Sequence, residues 1–251
     1  MLSKKPQTTR HTYPPEMLQT EIDSLIHSLV GLSESDALQL LVHQHPGTAV
    51  FSTALGPEDQ AITHLLAQAA LPVRIFTLDT GRLFAESYEL LDQTRSRYPG
   101  LPIQVYFPQH TAVERLLSEQ GPFSFYESVE ARKHCCHIRK VEPLQRALQG
   151  ASLWITGIRA EQSTHRSEMQ PLEWDETHRV LKFHPIFYWT ETQLWNYIHA
   201  HHIPYNKLHD QGYPSIGCQP CTRAISPGED PRAGRWWWEQ SQKECGLHEH
   251  E

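Results

Sequence analysis

No apolar run in the 251-residue sequence approaches the ~20 residues that a bilayer-spanning helix requires, which excludes a membrane protein of that kind. Met1 to His11 is polar and basic and lacks the apolar stretch of a signal peptide. Basic residues are in deficit: 22 Lys and Arg stand against 29 Asp and Glu, a formal net charge of −7. That balance argues against a general nucleic-acid or membrane-surface binder. No Gly-Lys-Ser/Thr of a Walker loop is present, so ATP hydrolysis by that route is not expected. There is also no internal repeat, and no clear domain boundary before an irregular C-terminal stretch. Cysteine is sparse, five in all, and the expected compartment is the cytoplasm, where stable disulfides are uncommon.

What is present is an alternation of short apolar strands and amphipathic helices. Glu16 to Val30 reads as a helix with Met17, Leu18, Ile22, Leu25, Ile26 and Leu29 on one face. Thr48 to Thr53 follows as a buried strand, and Pro57-Glu58-Asp59 opens a helix with proline and two acids suited to its first turn. Pro72 to Leu78 reads as a strand, Phe84 to Arg97 as a helix, and Pro102 to Phe107 as a strand. Thr111 to Leu117 and His137 to Leu148 read as helices, and Ala151 to Thr156 as a strand. Thr190-Glu-Thr-Gln193 is a capping box opening a helix to about His201. The fold class expected is α/β, a mostly parallel sheet with helices on both faces. Residues 1–205 would form a nucleotide-binding domain and 206–251 a Gly-, Pro- and Trp-rich C-terminal segment.

Ligands of such sheets sit at the carboxyl ends of the strands. Ser52, Thr53 and Gly56 lie there, between a strand and a helix N-terminus, where free backbone N–H groups would favour a phosphate or sulfate. Leu78-Asp-Thr-Gly-Arg82 and Thr156-Gly157-Ile-Arg159 share that edge. Arg159, Arg166, Arg232 and Arg235 would make forked contacts to a dianionic ligand if the chain brings them together.

The cysteines fall into three groups: Cys135-Cys136, Cys218-Gln-Pro-Cys221 and Cys245. The vicinal pair has Cα atoms ~3.8 Å apart, below the ~4.4–6.8 Å window of ordinary disulfides. It is therefore read as a pair of metal ligands or free thiols, just before a helix. Four thiolates suit Zn²⁺ or a [4Fe–4S] cluster, and ligand count does not choose between them. Arg132, Lys133, Arg139 and Lys140 flank the pair and would offset the charge of either centre. Lys243 would lower the pKa of Cys245, and His248 would orient a substrate oxyanion or stabilise the thiolate.

From about Thr48 to His248 the sequence resembles the assimilatory adenylyl-sulfate reductases, of the wider adenylyl-sulfate and phosphoadenylyl-sulfate reductase family. The resemblance is carried by Leu78-Asp-Thr-Gly-Arg-Leu83, Lys133-His-Cys-Cys-His-Ile-Arg-Lys140, Gly157-Ile-Arg-Ala-Glu-Gln-Ser163 and Tyr205-Asn-Lys-Leu-His-Asp210. It continues through Gly217-Cys-Gln-Pro-Cys-Thr-Arg223, Gly234-Arg-Trp-Trp-Trp-Glu239 and Glu244-Cys-Gly-Leu-His248. It implies an adenine-nucleotide α-hydrolase-like (PP-loop) fold and a [4Fe–4S] cluster on Cys135, Cys136, Cys218 and Cys221. It also implies Lys140 between cluster and substrate, and Cys245 as nucleophile. Ser52, Thr53, Leu78, Gly157, Arg166, Arg232, Arg235 and His248 fall at the family's nucleotide-binding positions. One departure is that Ser52-Thr-Ala-Leu-Gly-Pro-Glu-Asp59 matches the family's Ser-x-Ser-Gly-Ala-Glu-Asp only with a one-residue shift.

The activity so implied is reduction of adenylyl sulfate to sulfite and AMP through an S-sulfocysteine, with thioredoxin or glutaredoxin as reductant. A homo-oligomer is implied as well. Phosphoadenylyl-sulfate reductases of the family typically lack the four cluster cysteines, so the full set favours adenylyl sulfate; some cluster-bearing relatives accept both. Two rivals are weighed: a nucleotide α-hydrolase of the same fold, which would carry a Ser-Gly-Gly-x-Asp-Ser loop absent here, and a non-catalytic zinc-binding protein.

Overall fold

Residues 15–239 are described by the structure, a computed structural model, without the side chains of residues 15–18, 164 and 165. In chain order they form α1 (Pro15–Leu29), α2 (Glu34–Gln44), β1 (Ala49–Ser52), α3 (Pro57–Gln68) and β2 (Arg74–Leu78). Then come α4 (Ala85–Arg97), β3 (Ile103–Tyr106), α5 (His110–Gln120), α6 (Val129–Cys136) and α7 (Glu142–Ala147). β4 (Leu153–Ile155), α8 (Thr164–Ser167), β5 (Leu172–Asp175), β6 (Val180–Phe183) and α9 (Glu191–Ala200) complete the regular elements. No described helix is long and apolar enough to cross a membrane.

The six strands lie in the order β3-β2-β1-β4-β6-β5. All neighbouring pairs are parallel except β5 with β6. The period of two along each strand sorts side chains to two cores. Phe51, Ile75 and Ile155 face the larger one, against Leu38, Leu41, Ile62 and Leu66 of α2 and α3. Val50, Phe76 and Trp154 face the other, against Leu144 and Ala147 of α7. A fully buried side chain of this kind contributes about 1.5–3 kcal/mol relative to exposure. The pattern fixes register, because a one-residue slip would turn each strand over.

The expected α/β sheet is therefore present, with three differences. Helix α2 was not among the expected elements, although Ser33 accepts the Asp36 amide at 3.2 Å and Ala37, Leu38, Leu41 and Val42 form its buried face. The β5–β6 hairpin was not expected either; it adds the antiparallel edge. Finally, Cys135 and Cys136 do not only precede a helix. They end α6, which runs through a π-helical segment, His137–Val141, straight into α7. A π segment widens the turn and resets which side chains share a face, a device frequent at functional sites.

Candidate active site

The chain builds β1, β2 and β3 outward in one direction, then returns to place β4 on the other side of β1. Such a reversal opens a crevice at the carboxyl ends of the two strands. A cavity of about 850 Å³ occupies that position. Ser52, Thr53 and Gly56 enter it after β1, Leu78 after β2, and Gly157 and Arg159 after β4. Lys140 reaches it from the π segment, Arg166 from α8, and Arg232 and Arg235 from the C-terminal segment. All ten described residues expected to bind substrate thus line one cavity. Cys245 and His248 lie outside the described residues.

The loop after β1, readable from sequence as an anion nest or as an ordinary βα turn, has several of its amides engaged within the protein. The Thr53 N–H donates to the Phe76 carbonyl at 2.8 Å, and the Leu55 N–H donates to Thr53 Oγ1 at 3.0 Å. The Ala54 N–H donates to Asp59 Oδ2 at 2.7 Å. Asp59, in the α3 first turn, folds back onto the Ala54 amide, while the Thr53 and Leu55 amides are taken by the Phe76 carbonyl and Thr53 Oγ1. Burial pushes the Asp59 carboxyl up to about 7, with Glu58 adding to the shift and the Ala54 and Gly56 amides opposing it. Gly157 makes this packing possible, since a Cβ there would overlap Asp59 Oδ1 and crowd Glu58 Cβ at 2.9 Å.

The cations divide into committed and facing groups. Arg159 is buried, with Nε and Nη2 each 3.0 Å from Glu58 Oε1 and Nη1 donating to Glu161 at 3.2 Å and to the Trp189 carbonyl at 3.1 Å. Its fork is spent on neighbouring carboxylates, so it braces the cavity wall and does not present a free fork to a dianion. Arg166 Nη1 donates to Gln162 Oε1. Arg235 is buried beside Ser215 Oγ at 3.3 Å, and its guanidinium lies 4.8 Å from the centre of the Trp236 ring. Gly217 gives it passage, because a Cβ there would overlap the guanidinium. Lys140 lines this cavity and also a second, smaller one.

That smaller internal cavity is lined by Cys135, Cys136, Cys218 and Cys221, together with Arg82, Arg132, Arg139 and Trp236. All four thiols are buried and none is in a disulfide. Thr80 Oγ1 lies 3.2 Å from Cys218 Sγ, and Arg139 Nη1 donates to the Thr80 carbonyl at 2.7 Å. Burial pushes the Cys135 thiol up, and burial beside Cys218 pushes Cys221 up to about 12. As bare thiols these two would be inert nucleophiles at neutral pH. Among the described residues, no three His, Cys, Asp or Glu side chains are grouped to hold a metal ion. The four sulfurs line one cavity with Arg82, Arg132, Arg139 and Lys140.

Trp236 lines both cavities, as Lys140 and Cys218 do. It is 1 % exposed, has a left-handed φ of 40°, and carries Arg132 at 4.6 Å and Arg235 at 4.8 Å from its ring centre. A bulky residue tolerates that φ only where packing over-determines it. Arg132, expected to offset the charge of the metal centre, is instead paired with Glu239 through two hydrogen bonds of 3.0 and 2.9 Å. Sequence reasoning missed Asp59, Thr80, Trp236 and Glu239 as parts of the site. All four stand inside motifs quoted above, but residue type and spacing do not show that Thr80 meets Cys218 or that Glu239 meets Arg132.

Known proteins resemble this chain over most of its length. The family described as "Phosphoadenosine phosphosulfate reductase domain" matches residues 48–224. A protein of Burkholderia cepacia named adenosine 5'-phosphosulfate reductase is 50% identical over 214 residues, 85% of each chain. One of the same name from Allochromatium vinosum is 48% identical over 238 residues, 94% of this chain and 93% of its own. The crystal structure of phosphoadenylyl-sulfate (PAPS) reductase from Candida auris, a phosphate complex, superposes with a TM-score of 0.71 at 27% identity, covering 82% of this chain and 97% of that one. Candida glabrata FMN adenylyltransferase, at 15% identity and a TM-score of 0.52 over 98% of this chain and 81% of its own, shares the fold alone. With a matched segment that spans most of the chain and includes all four buried cysteines, the chain belongs to the phosphoadenosine phosphosulfate reductase family.

Proposed function

We propose that this protein reduces adenylyl sulfate to sulfite and AMP, with Cys245 as nucleophile and a thioredoxin- or glutaredoxin-type dithiol as reductant. One observation supports it above the others: a single cavity, walled by Cys218 and Trp236, gathers Lys140, Arg166, Arg232 and Arg235 at the switch point of an α/β sheet. A nucleotide carrying phosphate and sulfate is a ligand that such a site favours. The names of the bacterial relatives support adenylyl sulfate over its 3'-phosphorylated form.

The Cys245 thiolate attacks the sulfate sulfur, an S–S bond forms, the S–O bond to phosphate breaks, and AMP departs with that electron pair. A dithiol thiolate then attacks Cys245 Sγ and sulfite leaves; the second thiol resolves the mixed disulfide and restores the Cys245 thiolate. The dithiol supplies both electrons. Thiolate and sulfate repel one another, so the approach requires cations; Lys140, Arg232 and Arg235 are assigned that role. Arg159 is assigned to bracing Glu58 and the loop after β1.

Cys135, Cys136, Cys218 and Cys221 would hold a [4Fe–4S] cluster, and their buried, cation-lined arrangement fits one. When bound it supplies fixed charge and ties α6 to the C-terminal segment. Lys140, shared by both cavities, carries positive charge between the cluster cysteines and the substrate.

The test uses protein purified anaerobically, with iron and sulfide measured and adenylyl sulfate compared with phosphoadenylyl sulfate. About four irons per chain, faster sulfite release from adenylyl sulfate, and a trapped sulfonate on Cys245 without reductant are the expected results. Multiple-turnover sulfite release by Cys245→Ser would overturn the nucleophile assignment. Stoichiometric zinc without activity would favour the zinc-protein reading.

A further inference from the structure

Behind the apolar wall of the large cavity lies a buried polar chain that the proposed chemistry does not use. Trp154 Nε1 donates to Ser52 Oγ at 2.8 Å. Lys182, fully buried, places Nζ 5.1 Å from the centre of the Trp154 ring. Its charge is met by Glu173 Oε1 at 3.4 Å and Asp175 Oδ2 at 3.7 Å. Asp175 Oδ1 accepts from the His178 amide and lies 2.9 Å from His178 Nδ1, and that imidazole stands edge-on to Trp154 at 5.3 Å. Lys182 and His178 therefore grip the indole from the β5–β6 hairpin, and its N–H is aimed at β1.

An indole nitrogen only donates, whereas a hydroxyl has one donor and two acceptor sites. The Trp154 contact occupies an acceptor site of Ser52, and the Ser52 O–H is left to donate elsewhere. Ser52 lines the cavity beside Phe76, Leu78, Leu144 and Trp154. This wall is apolar, while Lys140, Arg166, Arg232 and Arg235 supply the opposite chemistry. A heteroaromatic base loses less hydration on the apolar wall than a dianion would.

We infer that Trp154, gripped by Lys182, is a positioning residue that fixes the Ser52 hydroxyl as a hydrogen-bond donor to an acceptor atom of the bound nucleotide's base. The inference rests on the reading of the cavity as a nucleotide site. It makes the late hairpin part of the recognition apparatus, acting through one indole without touching ligand.

The experiment measures AMP and ribose 5-phosphate affinity by calorimetry, on the full chain with its metal centre intact. Replacing Trp154 with benzothienylalanine keeps the ring and removes only the N–H. AMP should then bind about 3- to 10-fold more weakly, the range for one neutral hydrogen bond. Ser52→Ala should weaken AMP by a similar factor, and the two changes together should be no worse than Ser52→Ala alone. Ribose 5-phosphate, which lacks the base, should be unaffected by either. Unchanged AMP binding by the benzothienyl variant, losses that multiply, or an equal loss for ribose 5-phosphate would each overturn the inference. If the Trp154 variant does not fold, Lys182→Met replaces it, with the same pairing against Ser52→Ala and the same criteria. Wild-type protein that binds no AMP would overturn the nucleotide-site reading itself, and is distinguished by that control.

Discussion

Glu239 offers the sharpest test of how the C-terminal segment is held. It is paired with Arg132, one turn before Cys135 on α6, and the two side chains are 3% and 1% exposed. Both carboxylate oxygens accept, from Nε at 3.0 Å and from Nη2 at 2.9 Å. Glu239→Ala leaves a guanidinium buried against the Trp236 ring, with its carboxylate partner gone. Breaking a buried pair from one side costs about 3–5 kcal/mol. For a chain of this length, ~1 kcal/mol moves the thermal midpoint by about 2–4 °C, so the expected drop is roughly 6–20 °C. Replacing both partners by Met should recover most of that loss, because no charge then remains buried. The assay is thermal unfolding at one fixed scan rate on protein purified anaerobically, since irreversible transitions depend on scan rate. Glu119→Gln is the control: its pair with Arg115 is 55% and 77% exposed and should matter little. A Glu239→Ala midpoint within a degree or two of wild type would refute the reasoning. So would a double variant as unstable as the single one.

Four further outcomes are expected. Gly157→Ala should weaken AMP binding at least tenfold or lower the thermal midpoint, because its methyl would overlap Asp59; unchanged affinity and midpoint would count against the close packing. Gly217→Ala should displace Arg235 and slow sulfonation of Cys245 with little effect on iron content, read by single-turnover mass spectrometry. Asp59, raised from 3.8 to about 7, holds its proton in the folded state while the unfolded chain has lost it, so its contribution is fully present below about pH 4 and lost as pH rises to about 7. Asp59→Asn should flatten the stability profile across that window, and an unchanged slope would reject the buried-acid assignment. Iron chelation under denaturant-free conditions should raise thiol reactivity first at the four buried cysteines, by labelling; no change would reject them as ligands.

Much of the site's composition was legible in the chain because it depends on local chemistry. A cysteine pair separated by one peptide bond resists a disulfide wherever it is placed. Likewise, Thr190 and Gln193 cap α9 as their spacing indicates, each accepting from the other's backbone amide. The hairpin β5–β6 was less visible: its edge position and the pairing of Glu173 and Asp175 with Lys182 exist only once the strands are side by side.

The roles of individual charges were settled at longer range. Arg159 and Arg235 look alike as arginines near glycines, yet Arg159 finds Glu58 across 101 positions while Arg235 passes beside Gly217. The loop after β1 reads as an anion nest or an ordinary βα turn until α3 turns Asp59 back onto the Ala54 amide. The amino-acid sequence by itself determined the periodicities that make an α/β sheet, the set of cations and thiols, and their order along the chain. Tertiary structure alone decided that the Arg159 fork is committed to the cavity wall, because its Glu58 partner is brought in from a distant segment. It also decided that four sulfurs share a cavity, since the ends of α6 and the Cys218–Cys221 turn meet only after the core has closed.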